Sequence, residues 1–300
     1  MSSFISEKSE DFSLSGASRK SLNSVHFKLG ESFPMSEPLS HRQLQILEHA
    51  RTEGRVRVEG LAAHFEVTPQ TIRKDLNELC ERGVLQRLHG GAMLASGVEN
   101  LGYDARQILA QEEKQAIGRR CAEMIPNDCS LFINIGTTTE AVSQALGKHK
   151  GLLVITNNIN VANSLRMNQE IQVIIAGGIV RSRDGGIVGE AAVDLIRQFK
   201  VDYAVIGTSA IDEEGTLYDF DYREVRVTQA IIENAREVIL VADSMKFERS
   251  APVKIGHISQ TDHFVTDSLP GGAIRRLCDE SDVEVIEVAG GELEPARKLA

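Results

Sequence analysis

The sequence predicts an α/β protein: an N-terminal winged helix-turn-helix, followed by a mostly parallel α/β domain. Three observations predict it. At 300 residues the chain is long enough for two domains. Residues 40–95 hold three short helical patterns and then two strand-like runs around a His-Gly-Gly turn. From 110 to 270 continuous apolar runs alternate with helix candidates, the pattern of a parallel sheet covered on both faces.

Composition fits a globular chain, with 42% hydrophobic and 25% charged residues. No apolar run approaches the roughly 20 residues of a membrane span, and the N-terminus lacks an uninterrupted apolar segment of a secretory signal. A cytoplasmic protein with no membrane partner is expected. Cys80, Cys121, Cys129 and Cys278 have neither CxxC spacing nor His-rich company, so reduced thiols are expected, with no metal. Net charge is −10, but it is unevenly placed. Residues 40–95 hold 8 Lys/Arg against 7 Asp/Glu, whereas 96–300 hold 21 against 31. A near-neutral module on an acidic body still binds nucleic acid if its basic side chains share one face.

Residues 1–38, rich in Ser, Glu and Lys, read as a disordered tail, and Met35 stands as a candidate natural start. In SHRQLQILEHARTEG, Ser40 caps a helix with Leu44, Ile46 and Leu47 as its apolar face. A short RVRV run and a brief helix in VEGLAAHFEV follow. TPQTIRKDLNELCERG is a third helix, with Thr68 at the N-cap, Pro69 first inside and Gly83 closing it. Ile72, Leu76 and Leu79 fall at i, i+4 and i+7 and form its buried face. Gln70, Thr71, Arg73, Lys74 and Asn77 then lie on other faces, the residue types that reach guanine, adenine and phosphate. Arg87 and His89 in VLQRLHGGAML sit on the wing. A solvated amphipathic helix explains such residues equally well in isolation, but a helix-turn-helix followed at once by a wing favours double-stranded DNA. DNA binding is thus expected over 39–95 with a linker at 96–109.

In the second half, LFINI, LLVITN, IQVIIAGG, VDYAVIGTS, EVILVAD and HFVTD read as strands, most followed by helices. The stretch IGTTTE at 135–140 places Gly136 and three threonines at a strand end, with a helix expected from near Glu140. Free backbone N–H groups, the helix dipole and the hydroxyls of Thr137, Thr138 and Thr139 make an anion cradle there. Simple helix capping is the competing explanation. Other strand ends are also polar: Asn157 and Asn158, Gly177 and Gly178, and Gly207 with Thr208 and Ser209. In an open α/β sheet these carboxyl ends converge on one ligand site. Glu224 and Lys246 are further candidates, Lys246 as a phosphate counter-ion. Neither a Walker A loop nor GxGxxG is present, so no nucleotide cofactor is expected.

VEGLAAHFEVTPQTIRKDLNEL and RLHGGA, with GTTTEAV, TNNINVAN, AGGIVRSRDGGIVGEAA, FDYREVR and VADSMKF, resemble the DeoR family of bacterial transcription regulators over residues 39 to 290. The resemblance implies a repressor that leaves its operator when a small phosphorylated metabolite fills a sensor domain at 110–290. RSRDGGIVGEA and FDYREVR are most similar to the branch that answers to glycerol 3-phosphate. A homo-oligomer, dimer or tetramer, is also implied. The family's sensor domain is similar in fold to ribose-5-phosphate isomerase, which raises an isomerase as the alternative. GTSAIDEEGTL lacks that enzyme's Lys-Gly-rich loop, so a sensor without catalytic residues is expected. Two positions depart from the family: Asn134 where Asp is usual, and Thr228 where Lys is common.

Overall fold

A computed structural model describes residues 39–94 and 102–288. The expectations for residues 1–38 and for 289 and 290 lie outside the described residues. So do residues 96–101 of the expected linker.

In α1 (His41–Glu53) the Ser40 hydroxyl accepts from the Gln43 backbone N–H, and the Gln43 side chain accepts from the Ser40 backbone N–H. The inward face is Ile46, Leu47 and Ala50 rather than Leu44, which is 39% exposed over a cavity toward residues 108–113. β1 (Arg55–Arg57) and α2 (Val58–His64) lead to α3 (Pro69–Glu81), capped by Thr68 with Pro69 at the first position. Ile72, Leu76 and Leu79 are fully buried, as their spacing predicts. β2 (Leu85–Leu88) and β3 (Gly91–Leu94) complete the wing, in a three-stranded antiparallel sheet ordered β1-β3-β2. A Cβ at Gly91 would run into the Val56 carbonyl, which is why glycine stands where the two strands meet.

The interval expected as linker holds a short helix, α4 (Tyr103–Ile108), before α5 (Gln111–Met124). Strands and helices then alternate: β4 (Ser130–Ile133), α6 (Thr137–Ala145), β5 (Leu152–Thr156), α7 (Ile159–Leu165) and β6 (Ile171–Ile175). A hairpin of β7 (Ile179–Val180) and β8 (Ile187–Val188) precedes α8 (Glu190–Ile196), β9 (Val201–Ile206) and β10 (Ala210–Ile211). β11 (Thr216–Asp219), α9 (Tyr222–Glu233), β12 (Ala235–Val241), a 3₁₀ turn (Ser244–Glu248) and β13 (Val253–His257) follow. β14 (His263–Thr266), α10 (Gly272–Glu280) and β15 (Glu284–Glu287) end the described chain.

Seven strands form one parallel sheet in the order β15-β14-β12-β9-β4-β5-β6. Alternation along each strand feeds two cores. Leu131, Ile133, Val205 and Ile239 face α5–α7, whereas Phe132, Ala204, Leu240 and Phe264 face α8–α10. The chain runs outward from β4 to β6 on one side and from β9 to β15 on the other. The strand order therefore reverses between β4 and β9, the place where open α/β sheets bind ligands. The small sheet β10-β11-β13 and the edge strand β15 carry too little pattern to be read from sequence. Among the described residues no helix is long and apolar enough to cross a membrane.

α5 and α6 approach closely at Gly118, where an added Cβ would lie 2.7 Å from the Ala141 carbonyl oxygen. Gly118→Ala is therefore expected to cost about 1–3 kcal/mol through overpacking, despite alanine's better helix propensity. Urea denaturation checks this, and a stabilised variant would show that the two helices separate without cost.

Candidate functional site

The loops at the carboxyl ends of β4, β5, β9 and β12 carry Gly136–Thr139, Asn157, Ser209 and Lys246, and α9 brings Glu224 behind them. Gly136, at φ 148° and ψ 150°, turns the chain so sharply that α6 starts at Thr137, not near Glu140. All three threonines thus belong to its first turn. The Thr139 hydroxyl lies 2.8 Å from both the Asn134 and Gly136 carbonyls and is fully buried, so it is engaged in the turn itself. Thr138, 5% exposed, keeps its hydroxyl free of partners among the described residues. Asn157 is fully buried; its amide donates to the Ile187 carbonyl at 3.1 Å, while its Oδ1 has no partner. Ser209 donates to Asp219 at 2.9 Å. Gly177 and Gly178 are exposed, and a Cβ at Gly178 would press on the Val188 carbonyl of the β7–β8 hairpin. Their geometry is explained by that hairpin.

A buried ion cluster lies beside these loops. Arg181 meets Asp184 through two hydrogen bonds of 3.0 and 2.8 Å, and its Nη1 sits 2.6 Å from Glu224 Oε2 without hydrogen-bond alignment. Burial, reinforced by Asp219, raises the Glu224 carboxyl to about 7, although Arg181 pulls it down. Asn134 and Thr228, 94 residues apart, touch: the Asn134 amide donates to the Thr228 hydroxyl at 2.8 Å, with both side chains buried.

Lys246 is 8% exposed in the turn after β12 and makes no ion pair or hydrogen bond among the described residues. Burial lowers its ammonium to about 7; Asp243 opposes this, and Arg249, Lys114 and Arg106 add to it. Lys114 on α5 is 4% exposed and donates to the carbonyls of Leu109, at 2.5 Å, and Arg106. Burial lowers it to about 8. Burial raises the Asp243 carboxyl, but Lys246, Lys114 and Arg249 together hold it below the usual range. Lys114, Lys246 and Arg249 thus act on one nearby carboxylate. Such a cluster is suited to a small anion with more than one negative charge.

α4 closes over the same edge. The Tyr103 hydroxyl donates to Glu140 at 2.6 Å and accepts from Gln107 and Asn160. Glu140 also accepts from Asn158 and Asn160. Arg106 reaches Asp184 at 3.4 Å, leaving its Nε buried without a partner. Sequence reasoning missed Tyr103, Arg106, Lys114, Glu140 and Arg181. One signal was available for Lys114: with Ile117 and Cys121 it occupies i, i+3 and i+7 of the buried face of α5, an improbable place for an unpaired charge. No group of three or more His, Cys, Asp or Glu able to hold a metal ion occurs among the described residues.

In the N-terminal domain Gln70, Arg73, Lys74 and Asn77 are exposed on α3, with Thr71 half-buried. Thr68 is engaged in the cap, its hydroxyl 2.9 Å from that of Thr71. Arg87 and His89 are exposed on the wing. Arg42, buttressed from α1, holds Asp75 at 2.6 Å and so ties α3 to α1 from its inner side.

Residues 42–98 match the DeoR-like helix-turn-helix domain and residues 109–268 match the DeoR C terminal sensor domain. The glycerol-3-phosphate regulon repressor of Escherichia coli K12 is 47% identical over 82% of this chain and 98% of its own. That of Haemophilus influenzae is 44% identical over 82% and 95%. Ribose 5 phosphate isomerase A from Neisseria gonorrhoeae aligns over 46% of this chain and 54% of its own, at 13% identity and a TM-score of 0.34, a likeness on which nothing further rests.

The buried groups give stability a distinctive pH dependence. Between pH 4.5 and about 7 Glu224 keeps a proton in the fold that the unfolded chain has lost, so its contribution falls as pH rises. Lys246 from about 7, and Lys114 from about 8, to 10.5 bind fewer protons folded than unfolded, so stability rises there. A dip near neutral pH is expected in denaturation midpoints. Lys246→Met should raise stability at pH 7 by on the order of 1–3 kcal/mol and flatten the alkaline limb. A destabilised Lys246→Met at pH 7 would mean that the ammonium is paired in solution.

Proposed function

The chain belongs to the DeoR family of transcriptional regulators, and we propose that its repression of target genes ends when glycerol 3-phosphate occupies the cationic pocket at the carboxyl edge of the sheet. It is a DNA-binding transcriptional repressor and not an enzyme. Asp212, the first of three acidic residues in GTSAIDEEGTL, accepts hydrogen bonds from the Glu214 and Thr216 backbone N–H groups and the Tyr218 hydroxyl, which fix its turn. A repressor acts where the DNA lies, in the cytoplasm.

One observation carries the effector reading: Lys246 is buried in no ion pair or hydrogen bond among the described residues, and it shares the nearby Asp243 carboxylate with Lys114 and Arg249. In our reading a phosphate dianion enters between these cations and the free Thr138 hydroxyl at the start of α6, where the helix dipole favours negative charge. The unpartnered Oδ1 of Asn157 then takes a donor from the glycerol hydroxyls, and Ser209 and Glu224 border the polyol end. The neutral Asn134–Thr228 contact positions the β4 loop against α9 and so bears on ligand choice. On the DNA side, Gln70, Thr71, Arg73, Lys74 and Asn77 enter the major groove, Arg87 and His89 contact the backbone or adjacent groove, and Thr68 fixes the helix start. Two copies read two half-sites, in a dimer or tetramer.

Two substitutions test the halves separately in a fluorescent-operator titration. Arg73→Ala should weaken operator binding by about 1–3 kcal/mol and leave thermal stability unchanged, because Arg73 is exposed and outside the buried face. Thr138→Val should keep ligand-free operator affinity but need a markedly higher glycerol 3-phosphate concentration for release. Wild-type affinity in the first would remove α3 as the reading helix. Wild-type release in the second would reduce the threonine turn to a cap.

A further inference from the structure

We propose that α4 is the lever through which the state of the anion pocket reaches the DNA-binding domain. The proposal rests on the effector reading above for the ligand, and on the following contacts for the route. On one side, Tyr103 and Arg106 lie in the pocket's polar network, bonded to Glu140 and Asp184. On the other, Ile108 and the adjoining Leu109 pack into the winged-helix core formed by residues such as Ile46, Leu47 and Leu76. Met245, the neighbour of Lys246, packs on that same core. Both pocket elements therefore end in the hydrophobic interior of the DNA-reading module.

The joint between these faces is strained. Ala110, the residue between α4 and α5, is buried at φ 53° and ψ 40°, a left-handed conformation that a side chain disfavours. The Lys114 ammonium holds the joint by binding the carbonyls of Arg106 and Leu109, just ahead of it. A cavity of about 380 Å³ between Leu44, Leu47 and Glu48 of α1 and residues 108–113 gives the joint room to move. A second, of about 290 Å³, lies on the sensor side between Gln107, Lys114, Thr137 and Glu140. When a dianion draws Lys114 and Arg106 toward itself, the two carbonyls lose their donor. Ala110 then relaxes, and α4 shifts Ile108 and Leu109 within the winged-helix core. The ligand acts on DNA affinity because it favours the arrangement in which these carbonyls are released.

Hydrogen exchange on the full chain, with and without a duplex that the protein has selected from a random pool, tests the route without any effector. By reciprocity, DNA must bias the joint in the sense opposite to the ligand, toward the arrangement in which Lys114 holds the two carbonyls. Exchange at residues 106–114 is expected to change by about threefold or more on duplex binding, and unchanged rates there overturn the lever. A second arm measures the glycerol 3-phosphate Kd with and without duplex. The ratio of the two should fall about threefold or more toward one in Ala110→Gly or Ile108→Ala, with the duplex-free Kd kept. A wild-type ratio in both variants overturns the proposal. Failure of wild type to bind glycerol 3-phosphate would instead remove the effector reading, and the exchange result would still decide the lever.

Discussion

Lys114 and Lys246 set two ammonium groups where water is largely excluded and no carboxylate closes on either. A buried charge with incomplete compensation raises the free energy of the fold, and the pKa of each lysine falls in response. A packed interior would normally replace such residues. Their presence makes sense if the ligand-free domain is one of two working states and an anion completes the other. The rest of the sensor follows from that constraint. The sheet reverses its strand order between β4 and β9, which brings the loops after several strands to one edge of the sheet. Asp243 supplies partial neutralisation, enough to keep the fold and too little to satisfy three cations.

The N-terminal domain solves a simpler problem. Its core is apolar and closed, with α3 fixed by the Thr68 cap and by the Arg42–Asp75 pair, so the outward side chains are presented on a rigid helix. Rigidity at the reading surface and strain at the joint are complementary. A module that held its shape under every pocket state would have no response to an effector. A coupling free energy of about 1–3 kcal/mol is enough for a useful response, and it is comparable to the cost of a single residue held in a left-handed turn.

Periodicity made both domains legible. The buried spacing of Ile72, Leu76 and Leu79 and the alternating apolar strands are one-dimensional patterns, and the folded chain keeps them. The sequence placed three threonines at a strand end before a helix expected from near Glu140, and the fold starts that helix at Thr137. Only the φ of Gly136 brings α6 forward to Thr137, which engages Thr139 in the turn and frees Thr138. Arg181, Glu140 and Tyr103 escaped because their roles depend on partners 3 to 57 positions away, most of them met only through the fold. Asn134 and Thr228 were each visible as departures from the family. The fold brings the two into contact, the Asn134 amide donating to the Thr228 hydroxyl across 94 positions of sequence.

Calorimetry at pH 8 in buffers of different ionisation enthalpy tests the central claim, that the pocket lysines await an anion. Near pH 8 free glycerol 3-phosphate is already a dianion, its second pKa being about 6, so any proton taken up on binding belongs to the protein. Lys246 titrates near 7 and Lys114 near 8 in the ligand-free fold, and a bound dianion raises both. Net proton uptake with glycerol 3-phosphate, reduced in Lys246→Met to the share that Lys114 supplies, is the predicted result. Binding with heats independent of the buffer would contradict the account, because it would mean that the phosphate is held without the buried lysines.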